Sequence, residues 1–141
     1  MTPEFLAAVI DTLLPREGNA PSRAAPLPSG TQAGLDPADY AASGRVVFEA
    51  VAAQAGGDDL FIRADENTRI ATLEAVERTA PDAFRALLAT VLSDYYEAPP
   101  VLTALGWRID PPQPAGHTVS AGDEATRGLL RPTARRERLW R

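Results

Sequence analysis

The chain has 141 residues, including 14 Arg, 19 acidic residues and a single His, with no Lys and no Cys. Without Cys there are no disulfides, thiolate zinc sites or iron–sulfur clusters, and without Lys there is neither a Schiff-base lysine nor a P-loop. Residues 1–126 hold 18 acidic residues and 8 Arg, a charge of −10, whereas residues 127–141 hold one Glu and 6 Arg, a charge of +5. An acidic body repels phosphate, so we expect no nucleic acid as a partner.

The Ala-rich composition favours helices, and four segments carry apolar residues at steps of three and four, the period of an amphipathic helix. These helices are predicted over Pro3–Leu14, from Pro37 to the stop at Gly56-Gly57, over Glu66–Arg78 and from Pro81 to before Pro99. We therefore predict an all-α fold, a small irregular helical bundle of about four main helices with long Pro/Gly-rich loops and an extended C-terminal segment.

The predicted helix starts carry residues typical of caps and first turns. Thr2, Asp36 and Asp65 are the predicted N-caps, and Pro suits the first helical position, where no backbone donor is needed. The third helix has the weakest pattern, with Arg69 predicted to face solvent. The positions predicted to face the core are Phe5, Leu6, Val9, Ile10, Leu13, Leu14, Tyr40, Val47, Phe48, Val51, Ala55, Ile70, Leu73, Val76, Phe84, Leu87, Leu88, Val91, Leu92 and Tyr95.

Two connections lack a usable period. Residues 16–35 are rich in Pro, Gly and small residues, which is typical of a low-complexity linker, although a loop this long in a small domain is also often functional. Residues 58–63 fit either a strand-like piece or a single helical turn. We predict one helical domain over residues 1–131, containing the 16–35 loop and a Pro-rich segment over 108–121, followed by a basic tail over 132–141.

The aromatic residues near the end of the fourth helix have two interpretations. Tyr and Trp are enriched at interface hot spots, so Tyr95, Tyr96 and Trp107 could form a binding surface. Alternatively, Tyr95 and Trp107 cap the core with their polar ends in water. Tyr96 lies one step off the apolar stripe, so surface contact and burial are equally compatible with its position.

The Pro-rich segment and the Arg-rich tail are the other candidates for contact with a partner. Polyproline-like chain makes few internal hydrogen bonds and often lies across a surface, and the tail could either grip a partner or fold back on the acidic body. The predicted partner-binding residues are Tyr96, Trp107, Arg108, Pro111, Pro112, Pro114, His117, Arg135, Arg136, Arg138, Trp140 and Arg141.

No catalytic residue and no metal ligand set is predicted. The acidic pairs of the sequence do not match the spaced ligands of a calcium loop, and helix capping explains them. His117 could act as a general base only with an orienting partner and a pocket, so a loop histidine bonded to backbone is the simpler interpretation. A stand-alone helical enzyme using His117 with Tyr and carboxylate groups remains the alternative.

Several short motifs occur in a recognisable order. An N-terminal helix ends in L-L-P after an Asp (Asp11, Leu13-Leu14-Pro15), and a Gly/Pro-rich connection follows. Later come a Tyr near a helix end, a Pro turn, a Gly-Trp pair and a Pro/Gly tract (Tyr95-Tyr96, Pro99-Pro100, Gly106-Trp107, Pro111 to Gly116). Together they resemble the gluconate 2-dehydrogenase subunit 3 family.

The resemblance implies a non-catalytic accessory subunit that binds, and stabilises or matures, a larger flavin-dependent sugar or alcohol dehydrogenase of the glucose–methanol–choline type. FAD is then expected in the partner and no cofactor in this chain. A helical adaptor for an unrelated protein is the other alternative. The sequence shows no signal peptide and no segment for direct membrane insertion, so we expect a cytoplasmic protein, periplasmic only if exported with its partner.

Overall fold

Six α-helices and one 3₁₀ helix make up the part of the chain that this computed structural model describes, which comprises residues 1–18, 24–109 and 128. The α-helices are α1 (Pro3–Leu13), α2 (Arg45–Ala55), α3 (Asp58–Arg63), α4 (Glu66–Thr79), α5 (Pro81–Glu97) and α6 (Pro99–Ala104), and the 3₁₀ helix is Pro37–Tyr40. No strand occurs in these residues. The predicted all-α bundle is confirmed.

The predicted N-caps of three helices are confirmed. The Thr2 hydroxyl accepts from the Phe5 N–H at 3.2 Å, and the Asp36 carboxylate accepts from the Ala38 N–H at 2.9 Å. At α4, the backbone N–H and the hydroxyl of Thr68 both donate to Asp65, at 2.9 and 3.0 Å, and these bonds lower the pKa of the Asp65 carboxyl. Each cap satisfies donors that a helix N-terminus leaves without partners.

The core is formed by the apolar faces of the helices around the fully buried rings of Phe5 and Phe61, which meet edge to face at 5.6 Å. Most of the predicted core positions are buried or partly buried. Ile70 is an exception, since it is 39% exposed. The inward face of α4 instead runs through Arg69, Leu73 and Val76, so Ile70 lies about 100° away from it.

The second predicted helix is divided. The chain forms a 3₁₀ helix at Pro37–Tyr40, turns over residues 41–44, and begins α2 only at Arg45. A Cβ atom at Gly44 would lie 2.6 Å from a ring carbon of Phe48 and 2.9 Å from a methyl group of Leu87. Gly44 is the N-cap of α2, and the absence of a Cβ atom allows this close approach.

The described part of the 16–35 loop packs as part of the core, so the linker interpretation is wrong for residues 24–35. Leu27 and Leu35 are 5% and 8% exposed although they lie outside any helix. Backbone bonds fix the segment, from Glu17 N–H to the Leu27 carbonyl at 3.1 Å and from Gly30 N–H to the Leu14 carbonyl at 3.0 Å. Residues 58–63 adopt the helical alternative, as α3.

Met1–Ile109 form one compact unit. The predicted domain border between residues 131 and 132 lies outside the described residues, as do the tail over 132–141 and most of the Pro-rich segment over 108–121. Among the described helices, none is both long and apolar enough to cross a membrane.

Candidate functional site

The two neighbouring tyrosines of α5 have different environments. Tyr95 is 3% exposed and its hydroxyl donates to the Pro28 carbonyl at 2.7 Å, so both alternatives for Tyr95, an exposed binding surface and a polar end in water, are wrong. Tyr96 is 51% exposed, and its ring meets the Tyr95 ring edge to face at 5.4 Å. Tyr95 is therefore a core residue that ties α5 to the 24–35 loop, and Tyr96 is presented to solvent from a rigid helix.

Trp107 is the most exposed large apolar side chain of the described residues, at 69%. Its backbone is nonetheless fixed, because its N–H donates to the Leu102 carbonyl at 2.8 Å and the Gly106 N–H donates to the Thr103 carbonyl at 2.9 Å. Gly106 has a φ of +79°, so the pair of bonds is a Schellman motif that ends α6. The motif holds the backbone while the indole ring faces solvent, so Trp107 does not cap the core.

The predicted partner-binding residues can now be placed in part. Tyr96, Trp107 and Arg108 are exposed near the ends of α5 and α6, and Ile109 beside them is 55% exposed. Tyr96 and Trp107 are called the exposed aromatic residues below. The remaining predicted residues lie outside the described residues: Pro111, Pro112, Pro114, His117, Arg135, Arg136, Arg138, Trp140 and Arg141.

A first cleft of about 300 Å³ lies beside the 3₁₀ helix and the end of α5. Tyr40, 4% exposed, donates its hydroxyl to the Asp94 carboxylate at 2.7 Å. Burial raises the pKa of the Tyr40 phenol, and the bond to Asp94 and the charges of Asp94 and Asp39 raise it further. The phenol therefore stays protonated near neutral pH, and the pair fastens the 3₁₀ helix to α5.

A second cleft, of about 360 Å³, is called the charged cleft here. Its wall comes from the end of α1, the 24–35 loop and the start of α4. It is lined by Pro15 together with six polar or charged side chains, those of Asp11, Thr12, Arg16, Ser29, Glu66 and Arg69.

Two charged side chains of this cleft are fixed by contacts outside it. The Asp11 carboxylate accepts the backbone N–H of Thr31 at 2.8 Å and its hydroxyl at 2.9 and 2.7 Å. Arg69 donates Nε to the Phe61 carbonyl at 3.0 Å and Nη2 to the Ile62 carbonyl, and its guanidinium lies 5.8 Å from the centre of the Phe61 ring. The prediction that Arg69 faces solvent is wrong, because its guanidinium donates to the Phe61 and Ile62 carbonyls of α3.

The charged cleft also contains groups with no partner in the described part of the chain. Asp11, Arg16, Glu66 and Arg69 take part in none of the ion pairs there. Ser29 is 7% exposed as a residue, and among the described residues no side-chain N or O atom is both buried and without a hydrogen-bond partner. Nor do the described residues bring three or more His, Asp or Glu side chains together in a way that could hold a metal ion.

Sequence reasoning missed the charged cleft. In the sequence, Asp11 is only the residue ahead of L-L-P, and Ser29 lies in the Pro-rich 16–35 stretch with no motif around it. The one available signal was Arg69, a charged residue at the spacing of Leu73 and Val76 on α4. A charge on an apolar face indicates a specific partner for that charge.

Comparison of the chain with known protein families, with curated proteins and with solved structures gave no match.

Proposed function

We propose that the chain is a non-catalytic accessory subunit that binds, and stabilises or matures, a larger flavin-dependent sugar or alcohol dehydrogenase of the glucose–methanol–choline type. Trp107 carries the proposal, since its ring is 69% exposed although its backbone is fixed. An exposed Trp on a rigid backbone can enter a partner's pocket with little loss of conformational entropy. FAD belongs to the partner in this proposal.

The energy available from Trp107 is large enough to matter. Burying roughly 150 Å² of an aromatic side chain contributes about 4 kcal/mol at 25 cal/mol per Å², before the costs of association. Tyr96 can add contact area and a hydroxyl donor from a helix that Tyr95 holds in place. Tyr96, Trp107 and Arg108 are all exposed, and Tyr, Trp and Arg are the residue types that hot spots favour.

Three of the motifs behind the family resemblance have a physical part in presenting these anchors. Tyr95 fixes the end of α5, Pro99 begins α6 directly after it, and Gly106 closes α6 so that Trp107 follows. A buried Tyr, an exposed Tyr and an exposed Trp at these positions support a role in binding another protein.

The proposal is tested by purifying the N-terminally tagged protein gently from its native host. The tag is placed before Met1, where it replaces the ion pair of the N-terminal ammonium with Asp58, two groups whose side chains are 24% and 22% exposed. We expect a large co-purifying chain with flavin absorbance. A protein recovered alone and colourless would contradict the proposal, and a partner without flavin would favour an adaptor for an unrelated protein.

Matched variants connect the partner to the exposed aromatic residues. Trp107→Ala should reduce the recovered flavoprotein about tenfold or more, as expected for a hot-spot residue. Leu60→Ala is the control, because Leu60 is also a largely exposed apolar residue, at 59%, but lies on α3. Equal recovery with both variants would exclude Trp107 from the interface.

The basic tail is tested separately. Deleting residues 132–141 removes four Arg and one Trp and should weaken the complex without unfolding the compact unit Met1–Ile109. Full affinity after the deletion would remove the tail from the proposed interface and leave the exposed aromatic residues in it.

A further inference from the structure

We infer, on the basis of the proposed function, that the flavoprotein surface that covers Tyr96 is basic, with Arg or Lys side chains around the recess that receives its ring. Tyr96 is 51% exposed in the last turn of α5, and two carboxylates lie in the same turn. Two more come from the neighbouring 3₁₀ helix. These four acidic residues are called the acidic border below: Asp36, Asp39, Asp94 and Glu97.

The last turn of α5 places Tyr96 and its two acidic neighbours on one continuous surface. Successive residues of a helix are about 100° apart, so Glu97 lies about 60° from Asp94 on one side and about 100° from Tyr96 on the other. All three residues are exposed. A partner that covers the Tyr96 ring therefore meets the Glu97 carboxylate directly beside it.

The 3₁₀ helix extends this surface. The Tyr40 hydroxyl donates to Asp94 at 2.7 Å, which holds the 3₁₀ helix against α5. Asp36, Asp39 and Asp94 line the same cleft of about 300 Å³, and all three are exposed. The charges of Asp94 and Asp39 both contribute to the raised pKa of the Tyr40 phenol, as expected when two carboxylates lie near one buried group.

The acidic border is not neutralised within the described part of the chain. None of the ion pairs there includes one of its four carboxylates. Residues 94–109 contain a single basic residue, Arg108, and the last turn of α5 contains none. The carbonyl end of a helix favours cations, so Asp94 and Glu97 lie where the helix itself disfavours them. Departures from such a local rule are expected mainly at functional sites.

The exposed ring and the acidic border together decide which partner fits. Carboxylates at a surface are satisfied by water, so the border alone indicates nothing, but the Tyr96 ring in the same turn offers apolar area for a protein to bury. A second copy of the chain would bring like charges together, and a nucleic acid or an anionic membrane would be repelled as well. A basic protein surface gains from both features.

The test measures binding of the full chain to the co-purified flavoprotein by surface plasmon resonance, between about 50 and about 500 mM NaCl. We expect the association rate to fall about tenfold over this range, because salt screens exposed charges. Asp39→Asn and Glu97→Gln should each lower the rate about threefold at the lowest salt, and the double variant should lose about half of the salt dependence. Glu74→Gln, an exposed position of α4, is the matched control and should bind as the wild type does.

Thermal melts of Glu97→Gln separate a role in binding from a role in the fold. The change removes an anion from the carbonyl end of α5, so the melting temperature should rise by about 1–3 °C while binding weakens. A melting temperature that falls would show that the Glu97 carboxylate serves the fold, and would overturn its assignment to the interface.

The results distinguish a failure of this inference from a failure of the proposed function. If the flavoprotein binds at a rate that is independent of salt and equal in the wild type and both acidic-border variants, the basic surface is overturned and the proposed function stands. A chain recovered without a flavoprotein overturns both. The chain alone should be monomeric in sedimentation velocity, and a dimer that covers Tyr96 would overturn the inference in favour of a second copy.

Discussion

Helix α5 and the 24–35 loop both contribute to the core, but only α5 shows this in its sequence. The apolar residues of α5 recur every three or four positions, and Phe84, Leu87, Val91 and Tyr95 are buried as that period predicts. Residues 24–35 have no period, yet Leu27 is buried almost as deeply as Leu87. Burial on a helix follows from the local sequence, whereas burial in an irregular segment depends on contacts with distant parts of the chain.

The distant contacts of the loop are specific hydrogen bonds to helices. Pro28 offers its carbonyl to the Tyr95 hydroxyl of α5, and Thr31 donates to Asp11 of α1. The Ala24 N–H donates to the Ala104 carbonyl at the end of α6, at 3.0 Å. Each bond satisfies a polar group that would otherwise lack a partner, so a segment without regular structure can still pack against the core.

The largest expected effect comes from truncating one leucine in each region. Leu87→Ala and Leu27→Ala should each lower the free energy of unfolding by about 2–5 kcal/mol, because both side chains are buried and each truncation leaves a cavity. Urea denaturation followed by circular dichroism measures both. Leu60→Ala, at an exposed position, should change stability by less than about 0.5 kcal/mol. If Leu27→Ala also changed the free energy of unfolding by less than about 0.5 kcal/mol, the 24–35 loop would be a linker.

The next effect comes from filling two close contacts, one in the 24–35 loop and one before α2, where Gly44 packs against Leu87 of α5. A Cβ atom at Gly30 would lie 2.6 Å from a side-chain methyl of Ile10, and one at Gly44 would lie 2.6 Å from the Phe48 ring. Alanine at either position should destabilise by about 1–3 kcal/mol through overpacking. Gly18 has no atom within 4 Å of such a Cβ and is the control. Thermal melts in which Gly30→Ala behaves like Gly18→Ala would rule out the close packing of the loop on α1.

A smaller effect is expected from the tyrosine pair. Tyr95→Phe removes the bond to the Pro28 carbonyl and should lower the free energy of unfolding by about 1 kcal/mol. Tyr96→Phe removes the same hydroxyl one residue later on the exposed side, and should leave stability unchanged to within about 0.5 kcal/mol. Equal losses in the two variants, measured by urea denaturation, would contradict the assignment of one Tyr to the core and one to the surface.

The last prediction concerns alkaline pH. The pKa of Tyr40 is raised in the folded protein above its ordinary value of 10.0, so the unfolded chain loses this proton first. The stabilisation is therefore complete below pH 10 and is lost as the pH rises toward the folded pKa. Between about pH 8 and about pH 11, Tyr40→Phe should lose less stability than the wild type in urea denaturation. Parallel loss in both proteins would show that the Tyr40 phenol ionises as freely as in the unfolded chain.

The parts of the fold that the sequence predicts are those with local causes. Asp65 caps α4 and Pro81 begins α5 because capping and proline geometry act within a few residues. The division of the second helix is not predicted, because the buried residues of the 3₁₀ helix and of α2 read as one apolar stripe. Ile70 is exposed because Leu73 and Val76 are the buried residues of α4 and Arg69, on their side of the helix, binds the Phe61 and Ile62 carbonyls.

The candidate sites show the same contrast between features with local causes and features that depend on distant contacts. The sequence offers exposure as one of two alternatives for Tyr96, because this residue lies one position off the apolar stripe, and that is a local property of α5. The charged cleft could not be predicted, since it combines α1, the 24–35 loop and α4, and no pattern in the sequence brings Asp11, Ser29 and Glu66 together. A site made by distant segments becomes visible only once the chain is folded.

The central claim is that Tyr96 and Trp107 lie at the interface with a larger flavoprotein. Hydroxyl-radical footprinting with mass spectrometry tests it residue by residue, by comparing the wild-type chain alone with the chain in its purified complex. We expect oxidation of Tyr96 and Trp107 to fall several-fold in the complex, while that of Leu60 and Val46, which are exposed on α3 and α2, stays the same. Unchanged oxidation of Trp107 in an intact complex would contradict the claim.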